Sequence, residues 1–173
     1  MSSVSPVVNF RALMRPDYPL LARWFSEPDV SRWWNQDPSF DAMEQKYGPR
    51  VDGDDKTTMW VVEIGGDPAG LMQHYRHGDY PDHDEAVGIA DAVGIDFLLS
   101  DEFAGRGLGP AVLSRFSDLV LELTSEAFCC VATPAQQNQR SWRALEKASF
   151  ERRGPCQPPN EPPAWAYVRP RRR

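Results

Sequence analysis

The segment Ala104-Gly105-Arg106-Gly107-Leu108-Gly109 sets glycines at alternate positions just ahead of an amphipathic stretch. Glycine lets the backbone turn several N–H groups toward one point, and a helix start adds unpaired N–H groups and its positive dipole end. Together these suit phosphate oxygens, to which Arg106 can add a charge-assisted contact. Two other phosphate loops fit badly. The Gly-Lys-Ser/Thr run of a P-loop is missing. A dinucleotide fold puts its glycine turn after the first strand, with an acidic residue about 20 positions on, whereas this loop falls well past the middle of the chain.

Asp96 is the second chemical candidate. It interrupts a largely apolar strand expected over residues 93–99, and a carboxylate there costs free energy unless it is partnered. Such a group can hold an ammonium ion and accept its proton, directly or through water. The alternative is an outward-pointing Asp96 or a pair with a nearby Arg. Trp33, Trp34, Gln73 and Tyr75 are candidate substrate contacts beside it. Adjacent Trp residues lie about 100° apart on a helix, so one core does not easily bury both. His74 and His77 are alternate bases, with loop or surface placement their ordinary reading. Asp79, Asp82, Asp84, Glu85 and Asp91 crowd a stretch without Lys or Arg; it reads as a solvated acidic loop or as a rim attracting a cationic substrate.

The elements that must position these groups follow from periodicity and turn signals. Residues 7–14 read as a strand, and Arg15-Pro16-Asp17 opens a helix carrying Leu20, Leu21, Trp24 and Phe25. Short helices are expected over 28–34 and 39–47, then a polar loop over 51–55. Strands over 57–64 and 69–76 flank a tight turn at Gly65-Gly66-Asp67, and 78–86 reads as a polar excursion. After the strand at 93–99 come a helix over 109–124, a strand over 128–133 and a helix over 138–148. Strands over 150–153 and 164–168 close the chain around a proline-rich loop at 155–163. This order predicts an α+β fold with α/β/α layering, in which an antiparallel meander is followed by helical crossovers.

The 173 residues suit one domain, residues 1–173, with 168–173 a flexible basic tail. Hydrophobic residues at 41% and charged residues at 25% are ordinary for a soluble globular protein. A net charge of −6 argues against a nucleic-acid binder, which needs a basic face. No apolar run reaches membrane-spanning length and the first residues lack a signal-peptide pattern, so a cytoplasmic protein is expected. Cys129, Cys130 and Cys156 have neither disulfide-framework nor zinc-like spacing; the first two read as buried strand residues, and no metal set is expected.

The glycine loop resembles that of the GNAT superfamily of acetyl-CoA-dependent N-acetyltransferases, although Ala104 departs from the family's Gln or Arg. Asn138-Gln139-Arg140-Ser141 and the run from Arg143 to Phe150 look like the family's second cofactor-side helix. A closer resemblance, over nearly the whole chain, is to aminoglycoside 6'-N-acetyltransferases. It is carried by Ser31-Arg32-Trp33-Trp34, Gly66-Asp67-Pro68-Ala69-Gly70, Gln73-His74-Tyr75 and Gly94-Ile95-Asp96-Phe97-Leu98-Leu99. Siderophore-pathway lysine N-acyltransferases share part of this layout.

The resemblance implies a mixed, mostly antiparallel sheet with splayed central strands and flanking helices. It also implies direct acetyl transfer to a primary amine, with acetyl-CoA as cofactor. The pantetheine arm would pair with backbone at Phe97, Leu98 and Leu99, a backbone N–H near Leu98 polarising the thioester carbonyl. The diphosphate would lie on Ala104, Gly105, Arg106, Gly107, Leu108, Gly109 and Pro110, with Asn138 and Arg143 contributing. A small cationic amine is the expected partner, without nucleic acid or membrane, for a monomer or homodimer. The family's frequent Tyr proton donor falls on Leu145, which leaves Tyr75, Tyr80 or solvent for that role and keeps open a non-catalytic acyl-CoA-binding module.

Overall fold

The computed structural model describes residues 4–172. Its backbone is a mixed α/β chain with a seven-stranded, mostly antiparallel sheet of strand order β1-β2-β3-β4-β5-β7-β6, as the motifs led us to expect. The chain divides into two compact units, Met1–Met72 with Phe97–Arg106, and Gln73–Asp96 with Gly107–Arg173. Strands β3 (Asp67–Arg76) and β4 (Ala92–Leu99) contribute to both.

In the first unit, β1 (Val8–Ala12) pairs antiparallel with β2 (Thr58–Ile64), from Val8 opposite Ile64 to Ala12 opposite Trp60. Helix α1 (Tyr18–Phe25) buries Tyr18, Leu21, Trp24 and Phe25, the 3.6-residue spacing of one apolar stripe. A short α2 (Pro28–Ser31) follows. Helix α3 (Phe40–Asp52) starts at Ser39, whose Oγ accepts from the Ala42 N–H at 3.3 Å. It ends at Gly53, left-handed with φ 82°, so the loop expected at 51–55 begins later than its polarity suggested. Gly65 and Gly66, with φ 61° and 88°, form the two-residue turn between β2 and β3.

The second unit carries α4 (Pro81–Val87) inside the stretch expected to be an irregular polar excursion. Pro81 in its first turn and left-handed Gly88 at its end, with φ 70°, bracket it. Its sequence is too polar to show apolar periodicity. Then come α5 (Gly109–Leu123), β5 (Cys129–Ala132), α6 (Gln139–Lys147), β6 (Glu151–Cys156) and β7 (Ala164–Pro170). Every residue of β5 is buried, Cys129 and Cys130 included. Strands β4 and β5 pair in parallel over Ala92–Cys129, Val93–Cys130 and Gly94–Val131, and β4 continues through Ile95 to Leu99. Strand β6 extends into the segment expected to be a proline-rich loop, ending at Cys156.

The flexible basic tail expected over 168–173 is corrected. Val168 and Arg169 belong to β7, opposite Val131 and Cys130 of β5. Arg169 is only 3% exposed, its guanidinium bonded to the Ser114 carbonyl, the Ser117 hydroxyl and the Asp118 carboxylate. Arg171 donates to the carbonyls of Leu121, Thr124 and Ala127, which satisfies acceptors left open around the end of α5. Arg173 lies outside the described residues. Among the described residues no helix is long and apolar enough to cross a membrane.

Candidate active site

The glycine loop leaves β4 through a turn in which the Phe103 and Ala104 N–H groups donate to the Ser100 carbonyl at 2.9 and 2.8 Å. Gly105 and Gly107 then adopt φ 75° and 72°. A Cβ on either would meet nothing within 4 Å, so backbone conformation rather than crowding demands glycine there. Gly105, Arg106 and Gly107 are exposed, and the Arg106 guanidinium lies 5.7 Å from the Phe103 ring centre. Helix α5 begins at Gly109 and Pro110 with no side-chain cap at Leu108 and no acidic residue in its first turn. A long helix whose first N–H groups lack both a capping side chain and a carboxylate suits an external anion, and this set of residues fits the diphosphate of coenzyme A.

Of the residues expected along the pantetheine arm, Leu98 is buried in the first unit's core and Phe97 and Leu99 are half-buried. Gly70 lies hard against this stretch. A Cβ on it would collide with the Leu98 carbonyl and come within 3.1 Å of Leu99 Cα, so only glycine allows that approach. In the second unit, the Asn138 Oδ1 caps α6 by accepting from the Ser141 N–H at 3.3 Å. Arg143 is exposed on that helix, 5.6 Å from the Trp142 ring centre. Leu145 is fully buried, so its position presents neither a proton donor nor a surface.

The helix expected over 28–34 ends at Ser31, so Trp33 and Trp34 lie in the turn after it, and their side chains separate. Trp34 packs on the first unit's core, 6.3 Å from Phe25, and donates its indole N–H to the Tyr47 hydroxyl at 3.2 Å. Trp33 is 36% exposed with the Arg32 guanidinium 4.7 Å from its ring centre.

Asp96 is half-buried, and Gln73 Nε2 donates to its Oδ2 at 2.7 Å. Tyr75, two residues along β3 and therefore on the same face as Gln73, extends this polar line. Burial and the Asp96 charge push the Tyr75 phenol well above its ordinary value, so it stays protonated. The Tyr75 hydroxyl lies 3.3 Å from His83 Nε2, and Tyr80 meets the Tyr75 ring edge-on at 5.4 Å. His77 stacks on Tyr75 at 5.9 Å and 13°. It is 1% exposed, not the surface histidine its position suggested, and burial aided by His83 drives it down to about 4, which keeps it neutral. His74 points the other way along β3 and packs on Phe116 of α5 at 6.4 Å.

Sequence reasoning missed two members of this group. His83 belongs to α4, the helix read as an excursion. Glu161 is the acidic residue of the proline-rich segment, placed by a turn in which its N–H donates to the Pro158 carbonyl. The residue is exposed overall, yet its carboxyl loses hydration and faces the Asp96 charge, which together draw it up to about 7. Pro81 and Gly88 could have signalled the helix. Only the fold brings Glu161 within reach of Asp96. Among the described residues, no group of three or more His, Cys, Asp or Glu could hold a metal ion.

Comparison with known proteins identifies the family. Residues 14–157 match the acetyltransferase (GNAT) domain. Aminoglycoside N(6')-acetyltransferase type 1 of Klebsiella pneumoniae is 26% identical over 166 residues, spanning 91% of this chain and 81% of the relative. The crystal structure of aminoglycoside acetyltransferase AAC(6')-Ib with coenzyme A superposes with a TM-score of 0.84 at 28% identity, covering 95% of each chain. The AAC(6')-Ib structure with ribostamycin and coenzyme A gives a TM-score of 0.83 at 28% identity, over 95% of this chain and 93% of the other. The chain belongs to the GNAT acetyltransferase family.

Proposed function

We propose that this chain transfers the acetyl group of acetyl-CoA directly to a primary amine on a small cationic acceptor, the 6'-amino group of an aminoglycoside. The observation that carries this reading is the Asp96 carboxylate, half-buried and fixed by Gln73, in a chain of this family. The names of the relatives supply the acceptor class, and Glu161 beside Asp96 supports it, because two carboxylates favour a polycation.

Each residue then has a role. The backbone from Ala104 to Pro110, with Arg106, holds the diphosphate at the start of α5, and Asn138 and Arg143 add contacts from α6. Backbone groups at Phe97, Leu98 and Leu99 hold the pantetheine arm. Bound acetyl-CoA supplies the acetyl group as a reactive thioester. Asp96 holds the acceptor as an ammonium ion and accepts its proton, directly or through water, while Gln73 keeps the carboxylate in one orientation. Tyr75 contacts the acceptor, and Trp34 serves chiefly to pack the first unit's core. The domain works in the cytoplasm as a monomer or homodimer.

A second reading, a non-catalytic acyl-CoA-binding module, draws on Leu145, a buried aliphatic side chain at the family's frequent Tyr position. Free-thiol release from acetyl-CoA over a panel of aminoglycosides, polyamines and lysine derivatives separates the two. Acetyl transfer predicts thiol release matched by N-acetylated aminoglycoside. Binding of coenzyme A with no turnover on any amine identifies the module, and turnover confined to lysine derivatives points to siderophore-type acylation.

A further inference from the structure

The Tyr75 hydroxyl has a fixed aim. Its ring occupies space that Gly94 leaves open, since a Cβ there would stand 2.6 Å from Tyr75 Cε2 and Cζ and 2.9 Å from His77 Nε2. His77 stacks on one side, Tyr80 closes edge-on, and His83 stands nearly perpendicular at 79° with ring centres 5.6 Å apart. The hydroxyl therefore meets His83 Nε2 at 3.3 Å. His83 is half-exposed on α4 and so connects this group to solvent.

We propose that Tyr75 and His83 form the exit path for the proton the acceptor amine gives up, with His83 as its holder; this rests on the acetyl-transfer reading above. Asp96, once it has taken the acceptor's proton, passes it to Tyr75 Oη while the phenol's own proton passes to His83 Nε2. The products are a neutral amine with a free lone pair, a restored Asp96 carboxylate, an unchanged phenol and an imidazolium, so charge and protons balance. His83 then releases the proton to water. The path requires the His83 tautomer protonated on Nδ1, which lets the Tyr75 O–H donate to Nε2.

The groups around His83 explain why it suits this task. Tyr75 faces it from β3, His77 from the turn before α4, Asp84 from its own helix and Asp96 from β4; Tyr80 packs on Tyr75, and Glu161 reaches Tyr75 and Asp96 from the 157–163 segment. Burial lowers His83, while Asp96 and Asp84 pull it back toward its ordinary value, so it is neutral and ready to accept near pH 7. His77, at about 4, is too weak a base for this and acts as a packing surface. Glu161, near 7, is the rival holder.

The test is the pH profile of kcat and kcat/KM for one acceptor, with native protein, His83→Gln, Tyr75→Phe and Glu161→Gln, alongside added imidazole with His83→Ala. Because water partly replaces a lost proton carrier, His83→Gln should lower kcat about tenfold at neutral pH, below the roughly hundredfold or more of a full acid–base group. Its acid limb should flatten with KM and coenzyme A affinity unchanged, and imidazole should restore His83→Ala. A His83→Gln profile identical to the native one, failure of imidazole rescue, or loss of the acid limb in Glu161→Gln alone overturns the path. Native protein without turnover on any amine removes the acetyl-transfer reading as well, whereas an active native protein with an unaltered His83→Gln profile removes only this path.

Discussion

Gln73 Nε2 holds Asp96 Oδ2 at 2.7 Å, joining the neighbouring strands β3 and β4 within one compact unit. The bond gives a half-buried carboxylate a partner that carries no charge.

Replacing Gln73 with Leu removes that donor at similar volume. A hydrogen bond to a charged group is worth about 1.5 kcal/mol, so kcat/KM should fall roughly tenfold. Coenzyme A affinity, measured by calorimetry, should not change. Equal kcat/KM in both proteins means that Gln73 does not orient Asp96.

Glu161 makes stability depend on pH with a definite sign. Its carboxyl rises from 4.5 to about 7 in the folded chain, so the folded state binds this proton more tightly than the unfolded state. The resulting contribution is fully present below about 4.5 and is lost as pH rises through about 7. Thermal melts between pH 5 and pH 8 should therefore show a smaller decline for Glu161→Gln than for the native chain. Parallel declines would remove the burial and Asp96 charge as its cause.

Gly107→Val tests the loop. A β-branched residue at φ 72° costs about 1–2 kcal/mol of backbone strain, and the loop should relax by redirecting its N–H groups. Coenzyme A affinity should weaken by roughly tenfold or more, since one tenfold step is about 1.4 kcal/mol. Native affinity in this variant would remove the loop from the diphosphate site.

The sequence made these two sites legible to different degrees. Alternating glycines before an apolar helical stripe state their own local geometry, and Gly105 and Gly107 are indeed left-handed. Asp96 was legible because a lone carboxylate stands out in an apolar strand. His83 and Glu161 were not, because they reach the site through chain geometry. One rides a helix too polar to show periodicity, and the other a turn between prolines. The last strand stands where expected but runs on to Pro170, into the segment expected to be a basic tail, for a related reason. A run of Arg reads as solvated, yet Arg169 and Arg171 find carbonyls and a carboxylate that only the folded chain brings together.

Arg171→Ala should accordingly destabilise the fold. It removes a side chain that donates to three carbonyls, at Leu121, Thr124 and Ala127. Since water can reach part of this group, the expected loss is about 1–2 kcal/mol in chemical denaturation. A stability equal to the native value would mean that these bonds merely exchange for water.

The most direct measurement is steady-state thiol release by native protein and Asp96→Asn on the same aminoglycoside, with the coenzyme A dissociation constant measured in parallel. Asparagine keeps the shape and can still accept from Gln73, but it cannot hold an ammonium ion as a carboxylate does. The account predicts a fall in kcat of roughly a hundredfold, in the range of acid–base effects, with coenzyme A affinity unchanged. Equal kcat in the two proteins would contradict it.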